Sequence, residues 1–170
     1  PTIFTTWKDE ITKHLNFPHE FLICHGDKKH DRIIDAALNK EKPITFLITS
    51  YETLGKISDE LVNLPIGAVY FDEASRIKNM DSNRTKAAHN FRRRLPSSTP
   101  AFCLSGTPST THVSGYFSLY EIVKRGSTGF HSIWDFKRHF EEHAKFMVVT
   151  PPNYFQKKVH IYVDNGTRWL

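Results

Sequence analysis

The chain has 170 residues, of which 39% are hydrophobic, enough to bury the core of one domain of ordinary size. This composition excludes a disordered chain, and no apolar stretch approaches the ~20 residues that a membrane-spanning helix needs. The net charge of +5 favours a polyanionic partner.

Short apolar runs alternate along the chain with segments of helical periodicity, a pattern typical of a parallel β-sheet with crossover helices. The predicted strands are Phe21 to His25, Ile44 to Thr49, Ala68 to Asp72 and Ala101 to Ser105. The predicted helices are Thr6 to Leu15, Asp27 to Asn39, Tyr51 to Asn63, Ser82 to Leu95, Val113 to Lys124 and Ile133 to His143. The sequence therefore predicts an α/β fold.

The last part of the chain has a different pattern. Apolar residues over Phe146 to Val149 and Val159 to Val163 predict two strands on either side of the breaker Pro151-Pro152. We therefore expect residues 145 to 170 to form a hairpin-like insertion or the start of a connection to another module.

Two carboxylates follow the third predicted strand directly. In VYFDEASRIKN, Val69 to Asn79, the apolar run ends in Asp72 and Glu73. In α/β proteins that hydrolyse nucleotides, the carboxyl ends of the strands face the ligand crevice. Adjacent carboxylates at such an end can divide two tasks, holding Mg²⁺ and activating the attacking water. An isolated Asp-Glu pair is also a common way to begin a loop, so the interpretation depends on its neighbours.

The fourth predicted strand ends in small and hydroxylated residues. In FCLSGTP, Phe102 to Pro108, the apolar run leads into Ser105, Gly106 and Thr107. This ending brings backbone and hydroxyl groups to the same crevice edge, although a plain turn would have similar residues. Two such strand ends about thirty residues apart favour a nucleotide site.

These segments resemble the motifs of the Swi/Snf family of superfamily-two helicase-like ATPases, which translocate on double-stranded DNA. DEASRIKN, Asp72 to Asn79, stands where the family has D-E-[AG]-[HQ]-R-[IL]-K-N, and LSGTP, Leu104 to Pro108, corresponds to L-[TS]-G-T-P. Further matches in the same order are Trp7 to Glu10, Phe21 to Gly26, Ile48 to Leu54 and Trp134 to Phe140. The likeness covers roughly residues 1 to 143.

The resemblance implies that residues 1 to 144 are part of a RecA-like P-loop NTPase lobe, with a mainly parallel sheet flanked by helices. It implies ATP and Mg²⁺ as cofactors, with Asp72 holding Mg²⁺ through water and Glu73 acting as general base. The residues that it implies for coupling the nucleotide state to DNA are Ser75, Ser105, Gly106 and Thr107.

The same resemblance implies a double-stranded DNA partner. The residues implied to contact the DNA backbone are Thr49, Ser50, Tyr51, Lys78 and Asn79. Contacts from hydroxyls, backbone amides and lysine to phosphates give affinity without reading bases, which suits a translocase. Two positions depart from the family pattern: Ser75 replaces His or Gln, and Thr111 replaces Asn.

The chain nowhere contains G-x-x-x-x-G-K-[ST], the loop that grips ATP phosphates. In the family this loop precedes the segment that begins here at Pro1, and a second RecA-like lobe follows. We therefore expect a lobe that is truncated before the phosphate-binding loop and that lacks ATPase activity alone. The missing loop and lobe would come from the parent chain or from a complementing subunit.

Two other functions compete with this hypothesis. One is a non-catalytic remnant of such an ATPase that binds DNA or protein. The other is a zinc hydrolase, because His139 to His143 match H-x-x-E-H, which on a helix would place His139 and His143 on one face.

The run FRRRL, Phe91 to Leu95, has two interpretations: its arginines are either solvated surface residues or further contacts to DNA phosphates.

The two cysteines indicate the cellular compartment of the protein. Cys24 and Cys103 each lie in an apolar run, which predicts buried free thiols in a reducing compartment. The N-terminus lacks the regions of a signal peptide. We therefore expect an intracellular protein without a membrane partner, in the cytoplasm of a bacterium or phage-infected cell, or in a eukaryotic nucleus.

Overall fold

The structure is a computed structural model that describes residues 2–26, 30–33, 46–107, 113–150 and 155–164. The chain divides into two compact units. The first unit comprises Pro1–Gly67 and Lys86–Thr99, and the second comprises Ala68–Thr85 and Pro100–Leu170.

The first unit contains a parallel pair of strands and the helices around it. Its elements in chain order are α1 (Thr2–His14), β1 (Phe21–Cys24), β2 (Phe46–Thr49) and α2 (Tyr51–Leu61). In the β1–β2 pair, Phe21 lies opposite Phe46 and Cys24 lies opposite Thr49. Residues 30–33 are helical, and the remainder of the helix predicted over Asp27 to Asn39 lies outside the described residues, as does the predicted strand start at Ile44.

Helix α2 begins at a capped N-terminus. The hydroxyl of Ser50 accepts a hydrogen bond from the backbone N–H of Thr53 at 3.2 Å, which satisfies a donor that the helix itself leaves unpaired. Leu54, Ile57 and Leu61 are buried. Their spacing of three and four residues places them on one face, so α2 is an amphipathic helix packed by that face.

The second unit contains a second parallel pair of strands and a C-terminal hairpin. Its elements are β3 (Val69–Phe71), a 3₁₀ helix (Ala74–Ile77), β4 (Ala101–Cys103), α4 (Ser114–Val123), α5 (Ile133–Phe140), β5 (Glu141–Thr150) and β6 (Phe155–Asp164). Helix α3 (Asn83–Arg94) has its first three residues in this unit and the rest in the first unit. Strands β5 and β6 pair antiparallel.

The β3–β4 pair has two different faces. Phe71 and Ala101 are buried, whereas the rings of Tyr70 and Phe102 stack on each other at 4.9 Å and remain exposed. This alternation follows from the two-residue period of a strand. A separate aromatic cluster joins α4 to α5, because Phe117, Phe136 and Phe140 form a buried group.

The mixed α/β architecture confirms the predicted fold class, and β1 to β4 each lie within their predicted ranges. Strands β5 and β6 include the ranges predicted for the last part of the chain but are longer, with ten residues each. One helix was predicted too long. Helix α5 ends at Phe140, not at His143, because Glu141 opens strand β5 and pairs with Asp164 of β6. A strand partner distant in sequence therefore overrides the local helical pattern at these three residues. The domain division at residue 144 stays a prediction.

Candidate functional site

The two strand ends that carry the predicted site residues lie side by side. Strands β3 and β4 are parallel neighbours, and Phe71, the last residue of β3, is opposite Cys103, the last of β4. Two backbone hydrogen bonds extend the pairing beyond both strands, from Leu104 N–H to the Phe71 carbonyl at 2.9 Å and from Ala74 N–H to the Leu104 carbonyl at 2.8 Å. The structure therefore brings Asp72 and Glu73 to the same sheet edge as residues 105–107.

Asp72 and Glu73 form a tight turn directly after β3. The Oδ1 atom of Asp72 accepts a hydrogen bond from the backbone N–H of Glu73 at 2.9 Å. Glu73 has φ 48° and ψ 48°, the left-handed conformation, and its side chain is exposed. A left-handed residue with a Cβ atom costs roughly 1–2 kcal/mol, and such strain is concentrated at functional sites.

Residues 105–107 form a second turn beside the first. The Ser105 hydroxyl accepts a hydrogen bond from the backbone N–H of Thr107 at 3.2 Å. A Cβ atom added at Gly106 would meet nothing within 4 Å, and the φ of Gly106 is not positive. Among the residues that the structure describes, neither packing nor backbone conformation therefore requires glycine here. Pro108 and Thr111 lie outside the described residues.

The 3₁₀ helix connects the carboxylates to the predicted DNA contacts. Ala74 and Ile77 are fully buried, whereas Ser75 between them is half-buried. Lys78 follows as a half-buried residue. The exposed Asn79 then accepts the backbone N–H of Asp81 on its Oδ1 atom at 3.0 Å. These residues therefore form one short, continuous segment in the second unit.

The other predicted DNA contacts belong to the first unit. The Thr49 hydroxyl donates a hydrogen bond to the Cys24 carbonyl at 3.0 Å, which joins the carboxyl ends of β1 and β2. Ser50 is the N-cap of α2, and the half-buried Tyr51 is the first residue of that helix. All three residues therefore surround the start of α2, where backbone N–H groups point outward.

Burial is the main influence on the pKa of both thiols. Burial raises the pKa of Cys24 from 9.0 to about 11, while nearby Arg32 acts in the opposite direction. Burial alone raises the pKa of Cys103 from 9.0 to about 11. Both cysteines are free thiols, and such raised pKa values leave them mostly protonated and chemically inert at neutral pH.

The profile of the family described as SNF2-related domain matches residues 1–158 of the chain. The chain belongs to this family. SNF2-related proteins are Swi/Snf-type helicase-like ATPases of superfamily two, so the family predicted from the sequence motifs is confirmed.

Three relatives illustrate what this SNF2-related chain is similar to. A "DNA repair and recombination protein RAD54-like" from Gallus gallus is 32% identical over 146 residues, which cover 82% of the chain and 19% of the relative. Proteins of the same name from Drosophila virilis and Mus musculus are each 31% identical over 147 residues, covering 82% of the chain and 18% of each relative. The chain thus spans about a fifth of the length of these curated relatives.

The zinc hypothesis assumed a helix that the SNF2-related chain does not have. His139 lies in α5, but α5 ends at Phe140 and His143 belongs to β5. The two histidines are therefore not four residues apart on one helix, and that interpretation of the motif was wrong. Among the residues that the structure describes, no three His, Cys, Asp or Glu side chains form a candidate metal cluster.

Structural partners account for the arginine run at the end of α3. Arg92 donates hydrogen bonds to the carbonyls of Pro96 at 3.2 Å and Thr99 at 3.0 Å. Arg93 pairs with Asn90, and Arg94 forms an ion pair with Asp59. Arg92 and Arg94 therefore hold neighbouring parts of the first unit, whereas Arg93 pairs within α3 itself.

Sequence reasoning missed one residue that contacts the site segment of this SNF2-related chain. Ser118, in the middle of α4, is fully buried and donates its hydroxyl to the Ile77 carbonyl at 2.7 Å. The only signal was a serine inside the apolar run YFSLYEIV, a feature that many buried helices share.

A search of the described helices finds none with the length and apolar composition of a membrane span.

Proposed function

We propose that this chain is part of the first RecA-like lobe of an ATP-dependent translocase that moves on double-stranded DNA. The carrying observation is that Asp72 and Glu73 lie at the same sheet edge as Ser105 to Thr107, held by the hydrogen bond between Ala74 and Leu104. Ligands of open α/β sheets bind at this edge. Membership of the SNF2-related family and similarity to proteins named for DNA repair and recombination support the proposal.

In this proposal Asp72 holds Mg²⁺ through water and Glu73 takes a proton from the attacking water. A single carboxylate at a strand end suits Mg²⁺, which usually binds one or two carboxylates together with substrate phosphates. When bound, Mg²⁺ neutralises charge that develops on the phosphates. The left-handed backbone of Glu73 redirects the chain immediately after Asp72, so the two adjacent carboxylates take separate positions.

Coupling between nucleotide and DNA runs in this proposal through Ser75, Ser105, Gly106 and Thr107. Ser75 belongs to the 3₁₀ helix, whose first backbone N–H donates to the carbonyl of Leu104, the residue directly before Ser105. Among the described residues no atom lies within 4 Å of a Cβ position at Gly106, so a ligand has room to approach the backbone there.

The proposed DNA contacts are phosphate contacts. In the second unit they come from Lys78 and Asn79, which follow the 3₁₀ helix. In the first unit they come from residues 49–51, where the N-terminus of α2 carries outward N–H groups and a partial positive charge. Such contacts are independent of base sequence, as movement along DNA requires.

The complete protein would use ATP and Mg²⁺ as cofactors. The phosphate-binding loop and the second RecA-like lobe would come from a longer parent chain or from a complementing subunit. We therefore expect the 170 residues alone to show no ATP hydrolysis.

The test is ATP hydrolysis by the full-length protein with and without duplex DNA. We expect DNA to stimulate turnover, and we expect Glu73→Gln to lower stimulated turnover roughly a hundredfold or more, because it removes the general base. Asp81→Asn, which changes another exposed carboxylate of the second unit, is the matched control and should retain activity.

Two outcomes would contradict the proposal. Stimulated turnover that survives Glu73→Gln would refute the catalytic role of Glu73. A wild-type protein that binds duplex DNA without hydrolysing ATP would instead support the non-catalytic remnant.

A further inference from the structure

The 3₁₀ helix is hydrogen-bonded at both of its ends to residues that follow β4 in the chain. At its first residue, Ala74 N–H donates to the Leu104 carbonyl at 2.8 Å. At its last residue, the Ile77 carbonyl accepts the hydroxyl of Ser118 at 2.7 Å. The first bond lies beside the proposed hydrolysis residues, and the second lies beside the proposed DNA contacts.

The bond at the Ile77 end lies away from water. Ser118 and Ile77 each have 0% of their surface exposed. When a buried donor is removed, its carbonyl partner loses a hydrogen bond that water replaces only if the structure opens. The Ser118 hydroxyl therefore favours the arrangement in which the 3₁₀ helix ends against α4.

Helix α4 is also tied to the neighbouring strand. The Cys103 thiol of β4 lies 3.9 Å from the Leu119 carbonyl, one residue after Ser118. One turn of α4 thus contacts both β4, which leads to residues 105–107, and the end of the 3₁₀ helix.

We infer that Ser118 is a positioning residue that holds Lys78 and Asn79 where they bind the DNA backbone, through its hydrogen bond to the Ile77 carbonyl. This inference rests on the proposed function. Ser118 itself touches neither nucleotide nor DNA. Its loss acts mainly at the DNA end of the 3₁₀ helix, because the hydrogen bond between Ala74 and Leu104 still holds the other end.

A matched control exists in the same unit. The residue Thr128 is 6% exposed, and its hydroxyl donates to Oε1 of Glu121 at 2.7 Å, the same length as the bond from Ser118. Its partner belongs to α4, but the bond orders the loop after α4 and not the 3₁₀ helix. Thr128→Val therefore removes side-chain hydrogen bonds of this loop, including the one that the Thr128 hydroxyl accepts from the Phe130 N–H at 3.4 Å, and leaves the bond from Ser118 to Ile77 intact.

The experiment measures ATP hydrolysis by the full-length protein against duplex DNA concentration, well below each variant's melting temperature. For Ser118→Ala we expect the DNA concentration at half-maximal stimulation to rise roughly tenfold, the effect of losing one buried hydrogen bond. The KM for ATP should change by less than about twofold, because ATP contacts the other end of the 3₁₀ helix. Thr128→Val should lower the melting temperature similarly but leave the DNA dependence unchanged.

Ser118→Thr keeps the hydroxyl and should restore the wild-type DNA dependence. If its added methyl group lowers the melting temperature strongly, the comparison of Ser118→Ala with Thr128→Val decides. If these two variants had the same DNA dependence, the positioning role of Ser118 would be refuted, while the proposed function would still stand. Absence of DNA stimulation in the wild type would instead refute the proposed function, and the inference with it.

Discussion

The carboxylate of Asp72 accepts a hydrogen bond from the backbone N–H of Glu73 at 2.9 Å, while Glu73 itself has a φ of 48°. The turn that separates the two carboxylates is therefore made by a left-handed residue that carries a side chain. Retaining glutamate at such a position has a cost in stability, which a mutational comparison detects.

We expect Glu73→Gly to be more stable than Glu73→Ala by about 1 kcal/mol in the free energy of unfolding. Glycine adopts the left-handed conformation without the clash of a Cβ atom. The free energy gained in this way exceeds the free energy that glycine loses on folding because its unfolded chain has more conformational entropy. Urea denaturation of both variants measures the difference. Arg76, inside the 3₁₀ helix and without a positive φ, should show the opposite order, with alanine more stable than glycine. The same order at both positions would contradict the strain at Glu73.

Thr49→Val should lower the free energy of unfolding by about 1 kcal/mol, because it removes the hydrogen bond to the Cys24 carbonyl and keeps the side-chain shape. Thr49→Ser retains the hydroxyl and should lose less. Chemical denaturation monitored by circular dichroism compares the two variants. If serine and valine were equally destabilising, the bond between β1 and β2 would contribute nothing.

Arg92→Ala should destabilise the protein by about 1–2 kcal/mol, whereas Arg93→Ala should change stability by less than about 0.5 kcal/mol. Arg92 bridges the carbonyls of Pro96 and Thr99, but Arg93 is exposed and pairs only locally with Asn90. Arg92→Lys should lose most of the stabilisation as well, since lysine lacks the planar fork. Thermal unfolding of the three variants tests this order, and a larger loss at Arg93 would refute it.

The thiols of Cys24 and Cys103 should react with iodoacetamide roughly a hundredfold more slowly in the folded protein than in urea, because burial raises each pKa from 9.0 to about 11 and reduces the reactive thiolate. Since the folded-state pKa is the higher one, the contribution of each thiol to stability is fully present below pH 9 and is lost as the pH rises toward 11. Mass spectrometry follows the alkylation. Equally rapid labelling of either cysteine in the folded and the unfolded protein would contradict the raised pKa of that thiol.

The candidate site was more predictable than its surroundings. The run VYFDE and the run FCLSGT each showed a buried strand that ends in polar residues, and parallel pairing brought both ends to one edge. The sequence did not show that Glu73 is left-handed, because glutamate has no preference for that conformation. Nor did it show what Ser118 contacts, since Ile77 lies 41 positions away in the chain.

Within the described residues, local pattern by itself determined the order and type of most elements: apolar runs became β1 to β4, and the periodic segments Tyr51 to Asn63 and Ser82 to Leu95 became helices. The tertiary structure decided where a helix stops and which polar groups meet. Glu141 to His143 follow a helical pattern but become strand, because they pair with Tyr162 to Asp164 of β6. Side-chain period and strand length are properties of neighbours in sequence, whereas hydrogen-bond partners across the fold exist only once distant segments have packed.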